Sequence, residues 1–444
     1  MRPQSQTMYI LIAVVFVLGY LAIALEHPLH INKAASALVT GVLIWVMLML
    51  GREGLLTAGE HSEPEGIVHL LLEHLGDISS ILFFLLGAMT VVELIDAHEG
   101  FRVITDRITG TNKVSLMWML AIITFFLSAA LDNMTTAIVM SALLRKIIKD
   151  KNDLWTFAGM VIIAANAGGA WSPIGDVTTI MLWIGGQVTA MNIVAKLILP
   201  SLVCLILPLI WFTFTFKGTI QRPEAEVDEN KNHQAVTPGQ QKLVFILGLT
   251  ALLGVPLFKT YTHLPPYMGI LLGLGILWIV TELMHKNSIE TDKGHLMVTS
   301  VLRRVDVPSV LFFLGILTAV SGLQVAGHLT DMAHLLDDKL GNMYAINTVI
   351  GLLSSIVDNV PLVAASMGMY PMTQFHVDHP FWELLAYCAG TGGSILIIGS
   401  AAGVATMGIL GIDFLWYFRK IAFPAALGYF GGILTFWLMW HNLH

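Results

Sequence analysis

The sequence predicts an all-α polytopic membrane protein: two inverted repeats, each with five membrane crossings, one of them a broken helix, plus a re-entrant hairpin. Three observations predict it. The composition is 56% hydrophobic and 12% charged, with a mean hydropathy of +0.76, whereas soluble domains carry about 25% charged residues. Segments 8–25, 32–50, 191–216 and 421–440 approach or exceed the ~20 apolar residues of a membrane-crossing helix. The chain also repeats itself in order: SILFFLLGAM (80–89) matches SVLFFLGILT (309–318), LSAALDN (127–133) matches LSSIVDN (353–359), and NAGGAWSPIG (166–175) matches GTGGSILIIG (390–399), at offsets of 229, 226 and 224.

Each element follows from that pattern. In the first repeat (1–216), spans 8–25, 32–50 and 78–96 precede an Asp-containing segment (115–149), a glycine-interrupted one (154–189) and a last span (191–216). A polar stretch, 217–241, reads as a cytoplasmic linker. The second repeat (242–444) runs 242–258, 267–285 and 308–326, then the Asp-containing segment 343–372, the glycine-interrupted 381–411 and the span 421–440. In the second repeat, the arm after the aspartate, PLVAASMGMYPM, has 12 residues, which as helix reach about 18 Å against a hydrocarbon core of about 30 Å. It cannot cross, so both Asp-containing segments read as re-entrant hairpins with tips at Asp132 and Asp358.

Charge placement orients the chain. Loops 26–33, 97–114, 145–153, 217–242, 286–304 and 412–420 hold 18 of the 23 Lys and Arg, and the positive-inside rule makes them cytoplasmic. Arg2, Arg52, Lys196, Lys259 and Lys339, the acidic loop REGLLTAGEHSEPE (52–65) and both termini then lie outside. The flanks of the first hairpin are basic and those of the second carry only Lys339, so one opens inward and the other outward. Cys204 and Cys388 have neither disulfide nor metal-ligand spacing. No cleavable leader or transit peptide is recognisable, and the first span would serve as an uncleaved anchor.

Inverted repeats with discontinuous helices gather their site near the membrane midplane, because non-helical backbone survives there only where it is enclosed by protein or lines a wet cavity. The candidate site residues are therefore Asp132, Asn133, Thr135 and Thr136 at the first tip, and Ser172, Asp176, Thr178 and Thr179 at the first break. Asp358, Asn359 and Pro361 join them at the second tip, and Thr391 and Ser394 at the second break. Each aspartate would also serve as a helix N-cap, with Pro361 suited to a first helical turn. Asn, Ser or Thr would cap as well, however, without placing a carboxylate in low dielectric. The counterpart of Asp176 in the second repeat is Ser400, so the site is not symmetric. Glu93, near the end of the third span, is a candidate coupling residue. His69, His74, His285, His328, His334, His376 and His379 read as solvated loop residues.

Taken together, AMTVVELIDAHEGF, LDNMTTAIVM, NAGGAWSPIGDVTTIMLW and VDNVPLVAASMGM resemble the NhaD-type sodium/proton antiporters, over roughly residues 78–190 and 305–410. They belong to the ion transporter superfamily, which also holds divalent-anion:sodium symporters and arsenite pumps. The resemblance implies a homodimer in a bacterial inner membrane, with no enzyme activity, no resident cofactor and no nucleic-acid partner. The symporters carry Ser-Asn-Thr at the hairpin tips. This chain keeps the glycines and Pro173-Ile174-Gly175 but has Asp132 and Asp358 instead, and Val360-Pro361 follows the second tip.

The substrate follows from charge. A desolvated carboxylate holds a proton more readily than one in water and is equally a hard ligand for a small cation. Na⁺ or Li⁺ and protons would thus compete for Asp132, Asp176 and Asp358, which suffices for antiport by alternating access. A divalent anion would meet like charges, each pair costing about 3 kcal/mol at ~5 Å and an effective dielectric of 20, with no Lys or Arg in the site segments to offset them. Arsenite efflux and an intramembrane aspartyl protease are the remaining alternatives; the duplication and hairpins favour transport over the latter.

Overall fold

The structure is a computed structural model of the 444-residue chain, describing residues 3–55, 64–105, 108, 110–221, 236–286 and 296–442. Most of the acidic outer loop, most of the linker, part of the basic loop 286–304, Arg2 and Arg107 lie outside the described residues. The principal helices are α1 (Pro3–Ala24), α2 (Lys33–Leu55), α3 (Pro64–Ala97), α4 (Lys113–Leu131), α5 (Asn133–Ile147), α6 (Lys151–Ala170), α7 (Val177–Ile184), α8 (Ala190–Thr215) and α9 (Pro238–Thr262). They continue with α10 (Pro266–His285), α11 (Val307–Val325), α12 (His328–Leu340), α13 (Met343–Ser354), α14 (Asn359–Met369), α15 (Pro380–Gly392), α16 (Ala401–Leu410), α17 (Phe414–Lys420) and α18 (Ala422–Asn442). Among the described residues nine helices are long and apolar enough to cross a membrane, or ten if α16 and α17, bent by 118°, form one span. The protein is a multi-pass helical membrane protein.

The helices fall into two compact units, each drawing on both halves of the sequence. One comprises Met1–Leu86, Asp306–Ile346 and Val360–Val377. Here α2 packs along both α1 and α11, and the Trp45 indole N–H donates to the Thr318 carbonyl at 2.9 Å. Two features depart from the sequence reading. The helix α12 occupies a stretch that a search for apolar runs leaves as loop; it is amphipathic and buries His328, Leu329 and Ala333, with the Tyr9 and His328 rings stacked at 3.7 Å. The third span, expected from residue 78, begins at Pro64 and has 34 residues. That is about 51 Å of helix, well beyond the hydrocarbon core, because apolar residues such as the buried Ile67 recur at helical spacing among the charges. The loop assignment of His69, His74, His285, His328 and His334 is accordingly corrected: all five are helical.

The other unit comprises Gly87–Val305, Asn347–Asn359 and Asp378–His444. Within it α4 packs on α5 and α6, α5 on α16, α6 on α15, α8 on α18 and α9 on α10. Its contacts recur at the offsets seen in the sequence. The Ser128 hydroxyl donates to the Ala165 carbonyl at 2.6 Å, and the Ser354 hydroxyl to the Ala389 carbonyl at 2.7 Å. A Cβ on Gly168 would stand 2.2 Å from the Phe125 carbonyl oxygen, and one on Gly392 would stand 2.0 Å from that of Gly351. Only glycine lets these backbones approach so closely.

Candidate functional site

The first break arises where α6 meets Ser172-Pro173. Proline has no N–H to continue the helix, and the Ser172 hydroxyl ties the break to α4 through the Ala129 carbonyl at 2.6 Å. The chain restarts at Asp176, the N-cap of α7, in extended conformation (φ −148°, ψ 149°). Its Oδ1 accepts from the Thr178 N–H at 2.9 Å and the Thr178 hydroxyl at 3.0 Å. Thr179 completes the cap, its hydroxyl accepting from the Asp176 N–H at 3.3 Å. The second break restarts at Ser400 with nearly the same backbone (φ −142°, ψ 153°), its hydroxyl accepting from the Gly403 N–H at 3.1 Å.

The turns that carry Asp132 and Asp358 differ. Between α4 and α5 there is only Asp132, at φ 96° and ψ 159°, a region that is essentially reserved for glycine and costs on the order of 1–3 kcal/mol. Its carboxylate caps α5, accepting from the N–H and the hydroxyl of Thr135, both at 2.8 Å. Thr136 is fully buried, and among the described residues its hydroxyl finds no partner. Between α13 and α14 the turn takes four residues, Ser355–Asp358, and none has positive φ. Asp358 is partly exposed, and Asn359 next to it is buried.

These segments converge on Asp176, whose side chain is 1% exposed. The Asn133 amide donates to its Oδ2 at 2.6 Å and to Asn166 Oδ1 at 3.1 Å. The Asn359 amide donates to both carboxylate oxygens at 3.4 Å. Asn166 in turn donates to the hydroxyls of Ser394 and Ser400, both at 2.9 Å. One buried carboxylate is thus held by an asparagine from the start of each of α5 and α14 and linked through Asn166 to the second break. Asp132 and Asp358 lie within its coulombic reach. All the hydrogen-bond donors to Asp176 are neutral, so one added positive charge, a proton or a cation, would relieve the buried negative charge. Among the described residues no three His, Cys, Asp or Glu side chains gather closely enough to hold a metal ion, so a cation here would draw on amide, hydroxyl and backbone oxygens as well as carboxylates.

Not every expected residue joins this network. The Thr391 hydroxyl is turned back on its own helix, to the Tyr387 carbonyl at 2.6 Å. Glu93 has Asp96 and Arg304 as its charged neighbours. Pro361 sits in the first turn of α14 and belongs to the other compact unit. Sequence reasoning missed Asn166 as a site residue. Its signals are an amide within the otherwise apolar run MVIIAANAGGA and its place at the head of the repeated block NAGGAWSPIG.

Residues 20–390 match the family described as CitMHS, citrate transporter. Sodium/proton antiporter 1 of Arabidopsis thaliana is 47% identical over 97% of this chain and 72% of its own. Sodium/proton antiporter 2 of the same plant is 45% identical over 97% and 99%. The Na(+)/H(+) antiporter NhaD of Vibrio cholerae is 31% identical over 89% and 84%. The crystal structure of the Alcanivorax borkumensis YdaH transporter, described as revealing an unusual topology, is similar at TM-score 0.58 and 12% identity, covering 91% of this chain and 98% of that one. At that identity the likeness is one of fold.

Proposed function

The chain belongs to the family described as CitMHS and, within it, to the NhaD-type sodium/proton antiporters, and on that premise we propose that it exchanges cytoplasmic Na⁺ or Li⁺ for external protons by alternating access. The reading covers two inverted repeats (1–216 and 242–444), a homodimeric assembly, and a bacterial inner membrane with both termini outside. The observation that carries it is the burial of Asp176 between Asn133 and Asn359, one asparagine from each hairpin tip.

The chemistry follows from what those groups tolerate. With its charge desolvated, Asp176 is stabilised by its neutral donors and gains further from a proton or from Na⁺, either of which neutralises it. Each asparagine donates through Nδ2 to the bare carboxylate and presents Oδ1 to a cation when the amide turns. The orphaned Thr136 hydroxyl adds an oxygen, and Asp132 and Asp358 supply further carboxylates at the tips. Na⁺ and protons then compete for the same oxygens, and competition at one site opened alternately to each side couples their flows.

The family's description as citrate transporter favours one other reading, Na⁺-coupled anion symport. Three aspartates oppose it, at about 3 kcal/mol for each like-charge pair at ~5 Å and an effective dielectric of 20. Proteoliposomes with an acid interior separate the readings. Added Na⁺ or Li⁺ should collapse the pH gradient, and citrate, sulfate or arsenite should not enter. Silence towards both cations between pH 7 and 9, in protein shown to be folded, would sink the exchange reading.

A further inference from the structure

Among the described residues three acidic side chains are buried: Asp153, Asp176 and Glu383. Asp153 is paired with Lys113 at 2.6 Å, and Asp176 has the donors described above. Glu383, which is fully buried, has a single donor among the described residues: the Asn192 amide bonds its Oε1, while Oε2 is enclosed with no partner among them. A carboxylate left in that state inside a membrane protein is costly as an anion and far less so as a neutral acid.

Its position gives that proton a purpose. Glu383 lies in the first turn of α15, and Gly390 follows seven residues later, about 10 Å along the helix and on nearly the same face. A Cβ on Gly390 would be 3.7 Å from Asp176 Oδ2, so the face that carries Glu383 is the one that meets the candidate site. In the other direction Asp378, five residues before Glu383, belongs to a polar cluster. The Thr189 N–H and hydroxyl donate to the Asp378 carboxylate at 2.6 and 2.8 Å, and the Asp378 N–H donates to the Gln187 carbonyl at 2.9 Å. The charged groups acting on Glu383 are Lys196 of α8 and Asp378. Neither α6, α7 nor α18, which also pack on α15, contributes one among the described residues.

We propose that Glu383 is a second proton-binding carboxylate of the transporter, holding one of the exchanged protons at Oε2 on the face of α15 that meets Asp176. This role rests on the exchange reading and adds to it a proton site separate from the Na⁺ ligands. When the proton leaves Oε2 for water, the carboxylate that remains is held by Asn192 and by the charge of Lys196.

The test compares two modes of the same reconstituted protein. Na⁺/Na⁺ exchange, followed with labelled Na⁺, needs no proton site, whereas Na⁺/H⁺ exchange does. Glu383→Gln should keep the first within about twofold of wild type and lower the second at least tenfold. Equal loss of both modes, or loss of neither, overturns the role of Glu383. Should that variant fail to fold, Asn192→Leu removes the donor that favours the ionised form. The pH of half-maximal Na⁺/H⁺ exchange should then move to the alkaline side with Na⁺/Na⁺ exchange kept, and an unmoved profile overturns the proposal. A wild-type protein that moves no protons with Na⁺ or Li⁺ overturns the exchange reading and the role of Glu383 together, whereas a responsive wild type with an unaffected Glu383→Gln overturns only the latter.

Discussion

The two helix breaks use the same backbone device with different chemistry. At both, a helix stops, an extended residue turns the chain, and a side-chain oxygen caps the next helix; φ and ψ agree within 6° between Asp176 and Ser400. The capping need is therefore met equally well by a hydroxyl, and the carboxylate of Asp176 is surplus to it. What surrounds that carboxylate is also one-sided: Asn133 and Asn359 both turn to Asp176, while Asn166 and the Gly403 N–H donate to Ser400. The two breaks share one backbone device, and only the first carries a carboxylate.

The largest effect should come from making the breaks alike. Asp176→Ser keeps the cap and should leave thermal stability nearly unchanged, yet lower Na⁺/H⁺ exchange at least 100-fold, about 2.7 kcal/mol in the transition state. Exchange within tenfold of wild type would reduce Asp176 to a cap. Next, the shared scaffold should be equally intolerant in both halves. Gly168→Ala and Gly392→Ala each push a methyl into a facing carbonyl, and each should lower stability in detergent melts by about 1–3 kcal/mol or more. If one variant melts like wild type, the close approach in that half is not obligatory.

The hairpin tips sharpen the comparison. Asp132→Gly releases backbone strain that Asp358→Gly does not, since only Asp132 has positive φ. The first variant should melt higher than the second, by about 1–3 kcal/mol, although it loses transport. The smallest effect belongs to Ser400→Ala, which removes a neutral cap worth about 1 kcal/mol and should lower exchange less than tenfold in the same vesicle assay.

Much of the scaffold was legible in the sequence because a membrane imposes length rules. The double glycines with Pro173 are poor helix formers, and helices end at Leu131, Ala170, Ser354 and Gly392, inside the Asp-containing and glycine-interrupted segments. Asn133 and Asn359 stood out through the repeat, and Asp176 as a carboxylate following Pro173-Ile174-Gly175. Three features were not, each for its own reason. An amphipathic helix such as α12 has no long apolar run. Asn166 and Glu383 are single polar residues whose burial depends on neighbours far away in sequence. The grouping into two units that cross the repeat boundary depends on packing, which no span-by-span reading contains.

The central claim is that sodium and protons compete for the Asp176 carboxylate at the first break. The direct test is proton release from purified protein, in weakly buffered detergent solution, on addition of NaCl against a choline chloride control. Wild type should release protons as Na⁺ binds, and Asp176→Ser should release few or none. Na⁺ binding without proton release, or equal release from the Asp176→Ser variant, would contradict the account.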